Sequence, residues 1–446
     1  MKTSLRHLIF ALLLPAAATG VLRATPASEQ SVPDQLDLKA AIAFALENNF
    51  AIRQARERIR QQEGVVLEVS AKEIPTVAAT GGYQHNDKAL ANSVPATDRS
   101  LAVSVMATQV LYAGGGVRSS AKSADLVREA AVLEMKGIVN SAILQVRTKF
   151  CDILLAREKI KVQEQNIELL QSQLRNAIDR FEAGTTSSFE KLRAEVALAN
   201  GQVPLITARN DYRIAIEELR QLLGYTNIAP ENLRKVPEFV GALAYQPASY
   251  DLQAALTAAH ETRPEIQRLE RLASAREEGV TVARSGGIPN LSLVGGWQYG
   301  EGWSSLGAKS RDGFLIGLQS QWNIFDGFAT RGRVAQARSA VEQARLAAGE
   351  QILAVDVEVR RAVSALRQAV ELAEASQKVV AQAEEALRLA TARYGAGTAT
   401  QLDVLTSQVD LTTARTNQIQ AYYVHNVAVA NLRRAMGLTD EFVTGL

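Results

Sequence analysis

The chain has 446 residues, with 49 Lys plus Arg against 47 Asp plus Glu, a formal net charge of +2, and a single cysteine. A balance this close to neutral leaves no electrostatic case for nucleic acid as a partner. With Cys151 alone, no internal disulfide can form.

Lys2 and Arg6 precede an apolar run from Leu8 to Ala18, and Ala16-Ala17-Ala18 offers a small-residue cleavage site, with Ala24 the later alternative. Residues 1–18 therefore read as a signal peptide, and the chain is exported. Its removal takes Lys2 and Arg6 and brings the formal charge from +2 to 0. No cysteine lies near the cleavage site, so a lipid-anchored N-terminus is not expected. No later run reaches the roughly 18 apolar residues of a membrane-spanning helix. An exported chain of this kind is either soluble or crosses a membrane as a β-barrel, whose alternating strands leave a faint hydropathy signal.

After a polar linker to Gln35 come two copies of one pattern. Leu38-Lys-Ala-Ala-Ile-Ala-Phe-Ala-Leu46 matches Leu252-Gln-Ala-Ala-Leu-Thr-Ala-Ala-His260, an offset of 214 residues. Later landmarks hold at 213: Tyr112 with Phe325, Gly114 with Gly327, Arg118 with Arg331, Arg180 with Arg393, Gly224 with Gly437. The period is far longer than that of a solenoid repeat, so each copy is a whole structural unit. The copies span 38–224 and 251–437, joined by an inter-repeat linker at 225–250 and followed by a tail at 438–446.

Each copy reads as short helix, helix, strand, strand, very long helix, tight tip and return helix. In the first copy the strands are predicted at 75–86 and 99–112, the long helix at 117–181, the tip at 182–187 and the return helix at 187–224. In the second they are predicted at 289–300 and 313–325, 329–394, 395–400 and 400–436. The second long helix carries a heptad seam through Val355, Val359, Ala362, Leu366, Ala369, Ala373, Ser376 and Val380, and the first carries one through Ala142, Val146, Lys149, Ile153, Ala156 and Ile160. Such a seam wants a left-handed coiled coil. A long helix of this size measures about 100 Å at 1.5 Å per residue, enough to run antiparallel to two shorter helices stacked end to end. Pro204 falls inside one of those, the return helix of the first copy, and is expected to kink or loosen it.

The strands alternate. Leu291, Leu293, Gly295, Trp297 and Tyr299 share one face, as do Phe314, Ile316, Leu318, Trp322 and Ile324, with polar residues opposite. Runs of about ten residues with aromatic edges suit a membrane barrel, and Trp297, Tyr299, Trp303 and Trp322 are the candidate interface anchors. Four strands per chain fall short of the roughly eight that a small barrel needs, so the chain must oligomerise; counting alone allows a dimer or a trimer.

The two tips have matching chemistry. Gly184-Thr185 and Gly397-Thr398 follow the helix ends, where a left-handed glycine closes a helix without a steric penalty. Ser187-x-x-Glu190 forms a capping box for the return helix, and Thr400-x-x-Asp403 a weaker one.

With Tyr112-Ala-Gly-Gly115 and Trp322-Asn-Ile-Phe-Asp-Gly327 at the strand-to-helix junctions, Arg263-Pro-Glu-Ile266 opening a helix, and Arg393-Tyr-x-x-Gly-Thr-x-x-x-Leu-Asp-Val-Leu405 at the second tip, the chain resembles the TolC family of outer-membrane efflux and secretion channels. The resemblance covers about Leu38 to Leu438. It implies a fold that is mainly α with membrane β: a tandem-duplicated protomer of four barrel strands and long coiled-coil hairpins. It further implies a homotrimer with a twelve-stranded barrel and a twelve-helix periplasmic tunnel. The function implied is an outer-membrane exit duct in the Gram-negative envelope, passing efflux or type I secretion substrates from an inner-membrane pump and a periplasmic adaptor. By position in the family's motif, Tyr394 and Glu190 match one link that holds the tips closed and Asp403 matches one acidic ring of the periplasmic gate. The arginine of a second link is replaced by Ala399, that arginine's polar partner by Phe189, and the second acidic position by Thr406.

The rival reading is a non-conducting periplasmic adaptor or coiled-coil scaffold. Catalysis has little support, since His85, His260 and His425 are scattered, with no His-Glu-x-x-His or nucleophile-elbow spacing and no Gly-rich phosphate loop. No catalytic residue, cofactor or metal site is expected.

Overall fold

The computed structural model describes residues 33–87, 97–225, 235–304 and 307–438. The leader at 1–18, its alternative end at Ala24, and the tail beyond Leu438 lie outside the described residues. In chain order the elements are β1 (Gln35–Leu36), α1 (Leu38–Asn48), α2 (Phe50–Ser70), β2 (Thr76–His85), β3 (Thr97–Ala113), α3 (Gly116–Glu182), α4 (Ser188–Leu223), β4 (Glu238–Phe239), α5 (Leu252–Thr262), α6 (Pro264–Ser285), β5 (Asn290–Ser304), β6 (Gly307–Gln321), α7 (Ala329–Gly395) and α8 (Gln401–Ala435).

Two helices of 67 residues, α3 and α7, form the long axis. On α3 lie α2 and α4; on α7 lie α6 and α8. Helices α6 and α8 also pack on α3 and so join the copies. The heptad positions explain the packing. Val355, Val359, Leu366, Ala369 and Ala373 are buried on α7, and Ala142, Val146, Ile153 and Ala156 on α3. Lys149 interrupts the α3 seam without breaking it, because its Nζ reaches Glu218 on α4 at 2.7 Å and Asp152 at 3.2 Å while its stem covers apolar surface. Two core clusters result. One gathers α1 to α4 around Ile42, Ile52, Val139, Val146 and Ile153, and the other gathers α5, α7 and α8 around Leu256, Val359, Leu366 and Leu432.

The short helices meet end to end at two equivalent joints. In the first, the Asn49 side chain caps α2 by accepting from Ala51 N at 2.9 Å and donates to Leu222 O at the end of α4, 2.8 Å away. In the second, Arg263 stands where Asn49 stands under the 214-residue offset and donates to Arg434 O and Ala435 O, each at 3.2 Å, at the end of α8. Both thus satisfy carbonyls that a helix end leaves orphaned.

Pro204 does not interrupt α4, which runs unbroken from Ser188 to Leu223. A proline removes one backbone hydrogen bond, and here packing of the whole helix along α3 outweighs that loss. The region 225–250 is more than a linker. Within it β4 pairs in parallel with β1. Arg157 clamps Phe239 O and Gly241 O at 2.7 and 2.5 Å, and Tyr245 stacks on Tyr422 at 5.7 Å. The sequence hid this, because Phe239 and Leu243 bury themselves in a cluster with residues of helices far away in the chain.

The four long strands form one antiparallel sheet in the order β2-β3-β5-β6. Ala79, Val105, Trp297 and Phe314 lie in one row across it, with Val77, Ala107, Gly295 and Ile316 in a second row on the same face. Thr80, Ser104, Gln298 and Gly313 form a row on the other face, where the Thr80 and Ser104 hydroxyls are 2.7 Å apart.

The expectation of a strand at 313–325 needs correction: β6 runs from Gly307 to Gln321. It starts earlier because the polar run Gly307 to Asp312, which reads as a loop, pairs residue for residue with β5. It stops earlier because Asn290 takes Gln321 N on its Oδ1 at 3.0 Å and Ser320 Oγ on its carbonyl at 2.9 Å, and the chain then turns into α7. Trp322 and Ile324 therefore lie past the strand. Likewise β5 extends to Ser304 rather than 300, and β3 spans Thr97 to Ala113 rather than 99–112.

Candidate functional site: the hairpin tips and the membrane sheet

The two tips are built alike. Gly184 and Gly397 take φ of +71° and +74°. The N–H of the following threonine returns to the carbonyl of the helix-ending arginine, Thr185 to Arg180 O and Thr398 to Arg393 O, each at 2.9 Å. Each threonine hydroxyl donates to the same carbonyl, at 3.0 and 3.1 Å. A left-handed glycine and two bonds to one carbonyl thus end each long helix and reverse the chain within a few residues.

The caps that follow differ from expectation. The second tip holds the complete capping box: Asp403 N donates to Thr400 Oγ1 at 3.3 Å, while Thr400 N donates to Asp403 Oδ2 at 2.7 Å. The Thr400 hydroxyl adds a bond to the same carboxylate oxygen at 2.8 Å. The Thr400 N–H first, then its hydroxyl, and the Arg393 charge more weakly, hold the Asp403 carboxyl below the usual carboxylate range. The first tip holds half a box. Ser187 caps Glu190 N at 3.4 Å, but the Glu190 carboxylate is taken by the Thr186 hydroxyl and does not return to the Ser187 N–H.

No hydrogen bond joins Tyr394 to Glu190 within the protomer. Instead the Arg180 guanidinium lies over the Tyr394 ring, 4.5 Å from its centroid, a cation–π contact that ties the end of α3 to the end of α7. Arg180 is a tip residue that sequence reasoning missed. The duplication marked it as the partner of Arg393, yet only folding brings it onto a ring 214 positions away (394 − 180). Asp403 is exposed, as is Phe189. A second unforeseen feature sits behind the tips, where Gln408 donates to Asn166 O and Oδ1, each at 3.2 Å, and Thr412 Oγ1 donates to Asn166 Oδ1 at 3.0 Å. This polar group pins α8 to α3 in one register.

At the other end of the molecule the aromatic candidates lie at three heights on the sheet. Trp303 sits near the β5–β6 hairpin, Trp322 at the strand-to-helix junction, and Trp297 and Tyr299 midway, stacked at 6.2 Å. Phe314, Ile316 and Leu318 on β6 are exposed. Among the described residues no helix is long and apolar enough to cross a membrane.

An antiparallel sheet with one apolar and one polar face, set on paired helical hairpins and repeated within the chain, defines a subunit of an outer-membrane channel. A family model described as "Outer membrane efflux protein" matches residues 41–225 and 255–438, one match to each copy. The chain belongs to this family. It is 26% identical over 419 residues to the cobalt-zinc-cadmium resistance protein CzcC of Cupriavidus metallidurans, covering 92% of each chain. It is 23% identical over 378 residues to the outer membrane protein TolC of Vibrio cholerae, covering 82% of this chain and 83% of that one. Its fold superposes on a crystal structure of CusC with a TM-score of 0.77 at 18% identity, over 92% of this chain and 94% of the other.

Proposed function

We propose that three copies close into a twelve-stranded barrel continued by a twelve-helix tunnel. This assembly is the outer-membrane exit duct of a tripartite efflux or type I secretion system, and its passage narrows at the hairpin tips. The observation that carries the reading is the sheet. Among the described residues the edge strands β2 and β6 each pair on one side only, while one face is apolar. In lipid an open edge leaves backbone groups unsatisfied, so the edges must meet those of other copies. From Asn290 to Trp303 is about 44 Å at 3.4 Å per residue, or roughly 34 Å of height at a barrel tilt of 40°, close to the thickness of a hydrocarbon core. Trp303 and Trp322 then mark the two boundaries.

The helices support the same assembly. Phe189, Leu192, Val196, Val203 and Ile206 are exposed on α4 at coiled-coil spacing, and Leu346, Leu353, Leu372 and Val379 are exposed on α7. The α4 stripe suits a neighbouring protomer's helix. A periplasmic adaptor and an inner-membrane pump meet the tips and supply cargo and energy. At the tips Asp403 lines the narrowest ring, Tyr394 and Glu190 flank it, and three Asp403 carboxylates around one axis repel each other and attract cations.

The test is single-channel conductance in a planar bilayer, wild type beside Asp403→Ala. Small cation-selective currents that grow in the variant are expected. Well-folded oligomers that conduct nothing would favour the scaffold reading, and a pore indifferent to the substitution would return Asp403 to helix capping alone.

A further inference from the structure

At the base of the sheet the two copies differ in side chain where their backbones agree. Gly115 and Phe328 are equivalent under the 213-residue offset, and both are left-handed, with φ of +81° and +67°. Glycine adopts this conformation freely, whereas a phenylalanine there is sterically strained. Phe328 is the only non-glycine residue with positive φ among the described residues. Its ring returns nothing to the fold of the protomer: it is 65% exposed and meets Phe325, itself 74% exposed, edge-on at 5.6 Å. In the first copy the equivalent position faces α6, where a Cβ on Gly115 would stand in ordinary contact, 3.6 Å from the Thr281 side chain.

The loop that carries the two rings is held firmly. Trp322 Nε1 donates to Gly287 O at 3.1 Å, Thr330 N to the Asp326 carboxylate at 2.7 Å, and Gly332 N to Phe328 O at 3.0 Å. Arg284 at the end of α6 and Arg331 and Arg333 at the start of α7, all exposed, lie on the two helix ends that adjoin this loop. The local acid, Asp326, is engaged by Thr330 and in part offset by Arg333, which leaves the surface positive. Arg331 and Arg333 follow Phe328 by three and five residues, about 4 to 8 Å along the helix axis. A headgroup layer is of similar depth, roughly 5 to 8 Å per leaflet. The exposed face of Phe314, Ile316 and Leu318 leads straight into this site.

We propose that this junction binds an anionic glycerophospholipid of the periplasmic leaflet. Phe325 and Phe328 enter the acyl boundary, and the positive charge of Arg284, Arg331 and Arg333 around the junction attracts the anionic headgroups. The inference rests on the membrane placement proposed above. A strained Phe328 backbone, an exposed aromatic pair and three exposed arginines against one carboxylate are explained together by a lipid with apolar chains and an anionic head. A neighbouring copy would cover the rings and has no need of the arginines.

The test reconstitutes the full-length protein in phosphatidylcholine vesicles containing phosphatidylglycerol, extracts it in mild detergent, and counts phosphatidylglycerol per chain by mass spectrometry. Oligomeric mass and conductance are read on the same preparation. Each arginine at an anionic surface contributes about fivefold, so the double variant Arg331→Gln/Arg333→Gln is expected to lose about 25-fold in affinity. Phe328→Gly, which relieves the left-handed strain, is expected to retain less phosphatidylglycerol while its thermal midpoint holds or rises and its oligomeric mass and pore are kept. Unchanged retention in both variants overturns the proposal while the channel reading stands. Oligomers that fall apart on Phe328→Gly overturn it in favour of a neighbouring copy, and wild-type protein that forms no pore removes both readings.

Discussion

Replacing Arg263 by alanine tests how the stacked helices of the second copy are held. Its side chain is 3% exposed and lies between Glu265, 3.1 Å from Nε, and Glu358, which accepts from Nη2 at 2.7 Å. It also carries the last carbonyls of α8. Removing one member of a buried charge pair costs about 3–5 kcal/mol, because the partner is left uncompensated. Arg434 still faces both carboxylates, and the Glu358 side chain is 36% exposed, so the lower end, about 3 kcal/mol, applies. The equivalent change in the first copy, Asn49→Ala, removes a neutral cap and one hydrogen bond and should cost about 1–2 kcal/mol. Urea titration of both variants in detergent, followed by far-UV circular dichroism, reads the difference. Arg263→Ala should shift the midpoint about twice as far as Asn49→Ala. An equal or smaller shift would mean that capping, rather than charge pairing, holds the second joint.

Two further outcomes follow from the same geometry. His425 on α8 is buried with both ring nitrogens unpartnered, and burial lowers its pKa from the ordinary 6.5. The folded protein therefore favours the neutral ring. The stability this preserves is complete above about pH 6.5 and is lost as pH falls through the lowered value. Urea midpoints should drop on acidification below that point and drop less in His425→Gln. At the left-handed glycines, Gly397→Ala meets nothing within 4 Å and should cost only backbone strain, about 1–2 kcal/mol. Gly224→Ala places its methyl 2.4 Å from Asn48 O and should shift the urea midpoint further.

Much of the architecture was legible in the linear chain, for reasons of period. A heptad of small apolar residues and Gly-Thr turns are local patterns that backbone geometry imposes, and the 213-residue internal match is visible by comparing the chain with itself. The long helices, the tips at Gly184 and Gly397, and the sheet-bearing junctions lie where these patterns put them. The candidate gate was only partly legible. Asp403 reads as a cap from its spacing to Thr400, but the engagement of Glu190 by Thr186 depends on side-chain competition that spacing does not encode.

What the fold alone decided are contacts between residues far apart in the chain. Arg180 over Tyr394, Asn166 beneath Gln408 and Thr412, and the segment at 235–250 bound to Arg157 and Tyr422 have no periodic signature. The polar half of β6 is a strand because β5 supplies hydrogen-bond partners, not because its residues favour one. Composition and period dictate which face of an element is apolar. Which distant side chain completes a buried charge, an exposed ring or a strand edge is settled only when packing brings the two together, because those energies depend on distance in space and not along the chain.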